Sequence, residues 1–187
     1  MRSLSDRSIT SGKIVACDGL IPSIEPFSET VEPGSYPVVL SIAQVGNEWP
    51  VIACAMLRIQ EKMSATWKRA SVAGRDRSAG YGVDTANGCF ADLDVMQVLI
   101  TSAETYERLK KTVNRPGVEW VDFRLDATGL SNIIVFSSGY GDGAYPCYFG
   151  YDADGEVVCL ATDFGVLAPL PGKEAETPSK HQLRLDF

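Results

Sequence analysis

The chain has 187 residues and a formal net charge of −7, from 17 Lys or Arg and 24 Asp or Glu. Nucleic-acid binding needs a basic footprint, so this balance argues against direct contact with a phosphate backbone. With 45% hydrophobic and 22% charged residues the chain can bury an ordinary core, and we expect one globular domain over residues 1–170 followed by a tail, docked or free, over 171–187.

The sequence predicts neither a membrane helix nor a signal peptide. No run approaches the roughly 20 apolar residues of a membrane span, and the first residues lack an apolar segment. We therefore expect a cytoplasmic protein that does not contact membranes.

Strand patterns dominate the first half of the chain. Short β-branched or alternating apolar runs predict strands over residues 13–17, 36–45, 51–60 and 65–71. The second and third of these are separated by a short polar loop and read as a long antiparallel hairpin. Residues 51–60 are apolar on both faces, which indicates a central strand.

One helical region interrupts the strands. Apolar residues recur at three- and four-residue spacing over 92–113, Asp92 can cap the first turn, and a break near Ser102 divides the region into two helices. Further strands are predicted over 118–125, 132–137, 145–151 and 156–162. The spacing fits antiparallel meanders better than βαβ units, so we expect an α+β fold. It is mainly antiparallel β, a sandwich or curled sheet, with one helical insertion around residues 92–113.

The cysteines indicate neither a disulfide framework nor a zinc site. There are five, an odd number, and no two have C-x-x-C spacing. If residues 145–151 pair with 156–162, then Cys147 and Cys159 point to opposite faces of that hairpin. We predict that all five are reduced.

Candidate catalytic groups are sparse. The single histidine, His181, lies far from any nucleophile in sequence, so a Ser or Cys triad is disfavoured. No phosphate-binding loop is present, Asp152–Gly155 reads as a hairpin turn rather than a calcium loop, and we expect no metal and no cofactor. Two-carboxylate catalysis stays open as an alternative, in the form of a hydrolase that uses the Asp142 and Asp152 loops.

The charge is distributed unevenly. Residues 1–90 hold nine bases and nine acids, whereas residues 91–187 hold eight bases and fifteen acids. Six acids and no base lie between Arg124 and Lys173. A surface of one sign attracts partners of the opposite sign.

Two glycine-aromatic segments, residues 80–90 and 137–146, are the most distinctive local sequences. Turns with aromatic core residues would explain them, but tyrosine beside carboxylate also suits recognition of a cationic protein surface. The predicted partner-binding residues join these two segments to the acidic hairpin: Tyr81, Asp84, Tyr140, Asp142, Tyr145, Asp152, Asp154, Glu156 and Asp163. The tryptophans, Trp49, Trp67 and Trp120, are expected to pack in the core or on a sheet face.

Several of these segments together resemble a bacterial family known as domain of unknown function 4241. The resemblance covers roughly residues 12–165 and rests on GKIVACD from residue 12, GYGVD from 80, GCF from 88, FSSG from 136, GYD from 150 and TDF from 162. It implies no reaction and no catalytic residue. It implies a small soluble bacterial protein, and some members are plausible neighbours of secreted toxins.

Acidity, the lack of a catalytic set and this resemblance lead to one main expectation. The chain is expected to be an immunity protein that neutralises a cognate toxin with a basic surface, such as a type VI secretion nuclease effector. A carboxylate-rich face mimics the phosphate substrate of a nuclease and accelerates association.

Overall fold

The computed structural model describes residues 2–44, 49–74, 80–125 and 131–167. Within these residues, eleven strands and two helices follow one another along the chain. They are β1 (Arg2–Ile9), β2 (Ile14–Asp18), β3 (Gly34–Ala43), β4 (Val51–Arg58), β5 (Thr66–Arg69), β6 (Gly80–Val83), β7 (Asn87–Asp92), α1 (Leu93–Thr101), α2 (Ala103–Val113), β8 (Trp120–Arg124), β9 (Asn132–Ser137), β10 (Gly143–Tyr151) and β11 (Val157–Asp163).

The strands form two antiparallel sheets. The large sheet has the order β1-β3-β4-β11-β10-β5, and β6 pairs with the first half of β10 while β5 pairs with its second half. The small sheet has the order β2-β7-β9-β8. The predicted α+β fold, mainly antiparallel β with a helical insertion, is confirmed.

The main core lies between the two sheets and draws residues from both. Leu40, Leu57 and Phe149 of the large sheet and Phe90 and Phe136 of the small sheet are at most 1% exposed. A second cluster fills the space between the small sheet and the helices, where Val15 and Ile133 meet Met96 and Leu109. The helices thus cover one face of the small sheet and leave its other face to the main core.

Strand β4 is buried on both faces, as the sequence predicted. Ile52, Ala55 and Leu57 contribute to the main core, whereas Cys54 and Met56 belong to a smaller cluster on the opposite face of the large sheet. Since β4 pairs with both β3 and β11, its continuous apolar sequence reflects a position in the middle of the sheet.

The helical region follows the predicted boundaries. Asp92 is the N-cap of α1, and its Oδ1 accepts a hydrogen bond from the N–H of Asp94. Ser102 ends α1 and caps α2, because its Oγ accepts a hydrogen bond from the N–H of Thr105. Asp92 is 0% exposed, and its Oδ2 also accepts hydrogen bonds from the loop that joins β1 to β2. One carboxylate therefore starts the helix and fixes a neighbouring loop.

Three strands were not predicted, namely β1, β6 and β7. Glycines in β6 and β7 concealed their strand character, since glycine weakens intrinsic strand preference. Residues 80–83 and 87–92 are strands because each has partners on a sheet that sequence periodicity does not reveal.

The β10–β11 hairpin places its two cysteines on opposite faces, as expected, although the register differs from the predicted one. Cys159 lies opposite Gly150 rather than Tyr148, and an irregularity at Gly150 and Tyr151 shifts the pairing. Cys147 belongs to the main core and Cys159 to the outer cluster. All five thiols are free and buried in the structure.

In the part of the chain that the structure describes, no helix is long and apolar enough to cross a membrane. His181 and the predicted tail lie outside the described residues.

Candidate functional site

The two glycine-aromatic segments meet at one end of the sandwich. Residues 84–86 connect β6 of the large sheet to β7 of the small sheet, and residues 138–142 connect β9 of the small sheet to β10 of the large one. Gly143 pairs with Val83, and Asn87 pairs with Ser137. Both loops therefore cross between the sheets side by side.

Asp18, at the end of β2, fixes the first of these loops. Its side chain is 3% exposed, and its Oδ2 accepts hydrogen bonds from the N–H groups of Asp84 (2.8 Å) and Thr85 (2.9 Å). Its Oδ1 accepts from the Thr85 hydroxyl at 2.6 Å and from the N–H groups of Leu20 and Ile21. Five donors thus surround one buried carboxylate, which ties the end of β2 to residues 84 and 85.

Asp142 joins the second loop to the first. Its Oδ1 accepts a hydrogen bond from the N–H of Ala86 at 2.9 Å, and the N–H of Ser138 donates to the carbonyl oxygen of Ala86 at 3.1 Å. Ala86 has a φ of 55°, which a non-glycine residue seldom adopts. The bonds on either side of Ala86 hold this conformation in place.

Internal bonds also fix the second loop. The Ser138 hydroxyl donates to the carbonyl oxygen of Gly141 at 2.8 Å, and the Tyr145 hydroxyl lies 2.6 Å from the same oxygen. Burial, together with the nearby charge of Asp142, raises the pKa of Tyr145, so this hydroxyl stays a donor at neutral pH.

A third segment, residues 163–167, lies against these loops. Gly139 has a φ of 57°, and a Cβ added there would meet Phe164 Cβ at 2.8 Å and Val166 at 3.0 Å. The Phe164 ring packs edge-on against Tyr145 with 5.0 Å between centroids. We call residues 84–86, 138–142 and 163–167 together the crossover platform.

The crossover platform is acidic and contains no basic residue. Asp84, Tyr140 and Asp142 are exposed, Tyr140 by 62%, and Asp163 is half-buried with its Oδ1 accepting from the Gly165 N–H. Its three carboxylates are held on a scaffold of main-chain hydrogen bonds. A charged surface built this way loses little conformational entropy when it binds.

Asp152, Asp154 and Glu156 lie elsewhere, in the β10–β11 turn at the opposite end of β10. Asp152 is 7% exposed and its Oδ2 is 2.6 Å from Lys62 Nζ, while its Oδ1 accepts from the N–H groups of Asp154 and Glu156. The hydrogen bond from Lys62 lowers the pKa of Asp152, and the two main-chain donors act in the same direction. We call residues 152–156 the distal turn.

The structure therefore divides the nine predicted partner-binding residues into three groups. Asp84, Tyr140, Asp142, Tyr145 and Asp163 come together around the crossover platform, although Tyr145 is half-buried and supports the loop. The distal turn holds the other three acidic residues, Asp152, Asp154 and Glu156. Tyr81 is 8% exposed, belongs to the main core and also lines the cavity described below, so it offers a partner little surface of its own.

Tyr81 is 8% exposed, because alternate residues of β6 face the core. Its hydroxyl lies over Gly88, where an added Cβ would be 2.5 Å away. Burial raises the pKa of Tyr81 well above its usual value, with Thr162 acting in the opposite direction, and the hydroxyl has no hydrogen-bond partner at standard distance and angle among the described residues. The structure therefore supports a core role for Tyr81.

Asp142 and Asp152 do not form a pair. They flank the nine residues of β10, and at about 3.3 Å per residue their α-carbons are roughly 33 Å apart. Two carboxylates that cooperate in hydrolysis lie about 5–9.5 Å apart.

A cavity of about 250 Å³ opens beside the crossover platform, between the edges of β2 and β6. Three carboxylate side chains line it, those of Asp18, Glu25 and Asp84. Main-chain N–H groups and the Thr85 hydroxyl already occupy both oxygens of Asp18. The carboxylates make this recess better suited to a cation than to a phosphate. Among the described residues, no group of three or more His, Cys, Asp or Glu is arranged to hold a metal ion.

Sequence reasoning missed the residues that build the site. Asp18 and Ser138 are not among the predicted partner-binding residues, although both fix the loops. Trp49 was expected to pack in the core or on a sheet face, which is wrong, because it is 89% exposed. Its position next to Pro50 at a strand boundary was the available signal of a turn.

Comparison with known families identifies the chain at the family level. Residues 8–162 match the family described as protein of unknown function (DUF4241). The chain belongs to this family. The match covers β2 to β10 completely, and with them the two crossover loops. No curated protein and no solved structure matches the sequence.

Proposed function

We propose that this DUF4241 protein is an immunity protein that binds and neutralises a cognate secreted toxin in the bacterial cytoplasm. The observation that carries the proposal is the crossover platform, which presents Asp84, Asp142 and Asp163 with the exposed Tyr140 and no base. A toxin that cleaves nucleic acid has a basic active-site surface. We therefore propose a nuclease, such as a type VI secretion effector, as the class of target.

Electrostatics explains how the crossover platform would recognise such a target. Carboxylates at one end of the molecule create a negative field that steers a basic surface towards them and accelerates association. Because hydrogen bonds hold both loops, the carboxylates keep their spacing before the partner arrives. Tyr140 supplies the aromatic side chain that interfaces favour at their centre.

The recess beside the crossover platform adds a place for one basic side chain. Asp84 belongs to both features, so a partner that covers the loops also covers the mouth of the recess. A lysine or arginine inserted there would lie beside the exposed carboxylate of Asp84. Binding of this kind blocks the basic residues that the toxin needs for its own substrate.

The alternative, a hydrolase that uses the Asp142 and Asp152 loops, gains no support from the geometry. The two carboxylates lie at opposite ends of β10, and Asp152 is already paired with Lys62. The proposal therefore rests on binding rather than on catalysis.

Co-expression tests the proposal. The reading frames beside the gene are expressed singly in a bacterial host, and a product that stops growth is then co-expressed with this chain. We expect growth to recover, and we expect the purified pair to form a complex. If no neighbouring product is toxic, or if a toxic product remains toxic beside a soluble copy of the chain, the proposal is wrong.

A further inference from the structure

Trp49 is the most exposed large apolar side chain in the described structure, at 89%. It precedes Pro50 and the first residue of β4. Exposed tryptophan is uncommon on soluble proteins, whereas it is enriched at the energetic centres of protein interfaces. Within the part of the chain that the structure describes, this side chain is almost fully exposed, and binding to a partner would account for its place on the surface.

Strand register puts Trp49 at the same end of the large sheet as the crossover platform. Asp163 at the end of β11 pairs with Cys54 near the start of β4, and Thr162 pairs with Cys147 near the start of β10. The start of β4, the end of β11 and the start of β10 are therefore neighbours. Two strand spacings, about 10 Å in total, separate β4 from β10.

Other apolar side chains extend the same rim. Ile42, near the end of β3, is 48% exposed, and Leu167, in the crossover platform, is 66% exposed. With Trp49 and Tyr140, they make four of the nine large hydrophobic side chains that the described residues expose. The opposite end of the large sheet has Met63 and the charged distal turn.

From this juxtaposition we infer that Trp49 is an anchor of the partner interface, and that the partner carries an apolar pocket beside its basic surface. The inference rests on the proposed function and adds a second half to the interface. The acidic half comprises Asp84, Asp142 and Asp163, and the apolar half comprises Ile42, Trp49 and Leu167. A standard interface of about 800 Å² per partner, some 30 Å across, spans both halves.

The two halves have different kinetic effects. Charges at a rim mainly govern the association rate and its dependence on salt, whereas a desolvated aromatic anchor governs the dissociation rate. Trp49→Ala is therefore expected to speed dissociation and to leave the salt dependence of association unchanged. Neutralising the platform carboxylates is expected to slow association and weaken its salt dependence, and to leave the dissociation rate nearly unchanged.

Surface plasmon resonance with the toxic product of the neighbouring reading frame tests the inference. We expect Trp49→Ala to dissociate at least tenfold faster than the parent chain, and Trp49→Phe to recover most of that loss. Met63→Ala is the matched control, since it removes a side chain that is 67% exposed at the opposite end of the sheet. It is expected to change the dissociation rate by less than twofold.

Tryptophan fluorescence gives a second readout. In a variant carrying Trp67→Phe and Trp120→Phe, Trp49 is the sole indole of this chain, and after subtraction of the partner's emission acrylamide should quench it strongly in the free chain and weakly in the complex. The inference is overturned if quenching is the same in the free chain and the complex and if Trp49→Ala dissociates at the parent rate. In that case the proposed function still stands, provided that the platform variants lose binding. A concentration-dependent dimer that Trp49→Ala abolishes would assign the apolar half to a second copy of this chain, and would also overturn it.

Discussion

The carboxylate of Asp142 accepts a hydrogen bond from the main-chain N–H of Ala86 at 2.9 Å, and this bond joins the two loops that cross between the sheets. Asp142 is therefore both a structural acceptor and an exposed charge. The two roles can be separated, because asparagine keeps the acceptor oxygen and removes the charge.

Asp142→Asn is expected to keep the loop structure, and Asp142→Ala to lose it. Hydrogen exchange measures this directly at the Ala86 amide, which should be protected in the parent chain and in Asp142→Asn but should exchange faster in Asp142→Ala. The same amide exchanging equally in all three proteins would show that the two loops are not coupled through this bond.

Asp18 is expected to be the most sensitive polar position at this end of the molecule. Asp18→Ala leaves four donors without their acceptor, while the Ile21 N–H keeps the main-chain carbonyl of residue 18, and should lower the free energy of unfolding by about 3 kcal/mol, since unpaired buried donors cost about 1–3 kcal/mol each before the loops relax. Urea unfolding checks this. Asp84→Asn, in the same loop but with an exposed side chain, is the control and should change stability by less than about 0.5 kcal/mol.

The Lys62–Asp152 pair predicts a pH-dependent contribution to stability. The pKa of Asp152 is lowered from 3.8 by the Lys62 hydrogen bond first, and the same bond raises the pKa of Lys62 from 10.5. A carboxyl with a lowered pKa stabilises the fold above its unfolded pKa, and that contribution disappears as the pH falls through the folded value. For a lysine with a raised pKa, the contribution is complete below the unfolded pKa and disappears at higher pH.

The stability difference between the parent chain and Asp152→Asn should therefore be constant between about pH 5 and 9, and should shrink below pH 3.8 and above pH 10.5. Denaturant unfolding across this pH range measures it. Asp154→Asn, exposed in the same turn, should show a smaller and flatter difference. A difference for Asp152→Asn that grows towards low pH would contradict the assigned pairing.

The thiols are expected to be inert in the native state. Burial raises the pKa of Cys54 and of Cys147 to about 12 and raises the pKa values of Cys89 and Cys159 as well, and the reactive species is the thiolate. A thiol reagent such as DTNB should label five groups in denaturant and none rapidly in the native protein. Fast labelling of any cysteine before unfolding would be inconsistent with this core.

Tyr81 and Gly88 should behave as a coupled pair. Tyr81→Phe removes a buried hydroxyl that has no hydrogen-bond partner among the residues that the structure describes, so the free energy of unfolding should stay the same or rise by up to about 1 kcal/mol. Gly88→Ala should destabilise by about 2 kcal/mol, because its Cβ would overlap the Tyr81 hydroxyl and approach Phe136. A double-mutant cycle should show a smaller cost of Gly88→Ala beside Tyr81→Phe. A loss above about 1.5 kcal/mol for Tyr81→Phe alone would show that the hydroxyl is bonded.

Sequence reasoning predicted what depends on local chemistry. The helical region, its Asp92 cap and its break at Ser102 followed from spacing and capping rules, and the two-sided burial of β4 followed from its unbroken apolar run. These features depend on residues within a few positions of one another, so a single sequence contains the signal.

Features that depend on contacts between residues far apart in the chain could not be predicted from the sequence. The stretch between Arg124 and Lys173 holds six acids and no base, which suggested one acidic face. In the structure, however, β10 places Asp142 at one end of the sheet and Asp152 at the other. Asp18 accepts a hydrogen bond from Asp84, 66 positions away, and only the order of β4, β11 and β10 puts Trp49 at the same end of the large sheet as the crossover platform. The candidate site thus contains fewer carboxylates than predicted, and more exposed apolar side chains lie near it than the sequence indicated.

The central claim is that the crossover platform, rather than overall acidity, recognises a basic partner. Its most direct test compares two triple variants that raise the net charge equally and retain hydrogen-bond acceptors: Asp84→Asn with Asp142→Asn and Asp163→Asn at the platform, and Glu61→Gln with Asp154→Asn and Glu156→Gln around the distal turn. The association rate constant with the toxic neighbouring product is measured across ionic strength. We expect the platform variant to associate at least tenfold more slowly at low salt and with a flatter salt dependence, while the distal variant stays within threefold of the parent. Equal effects of the two variants, or no effect of the platform variant, would contradict it.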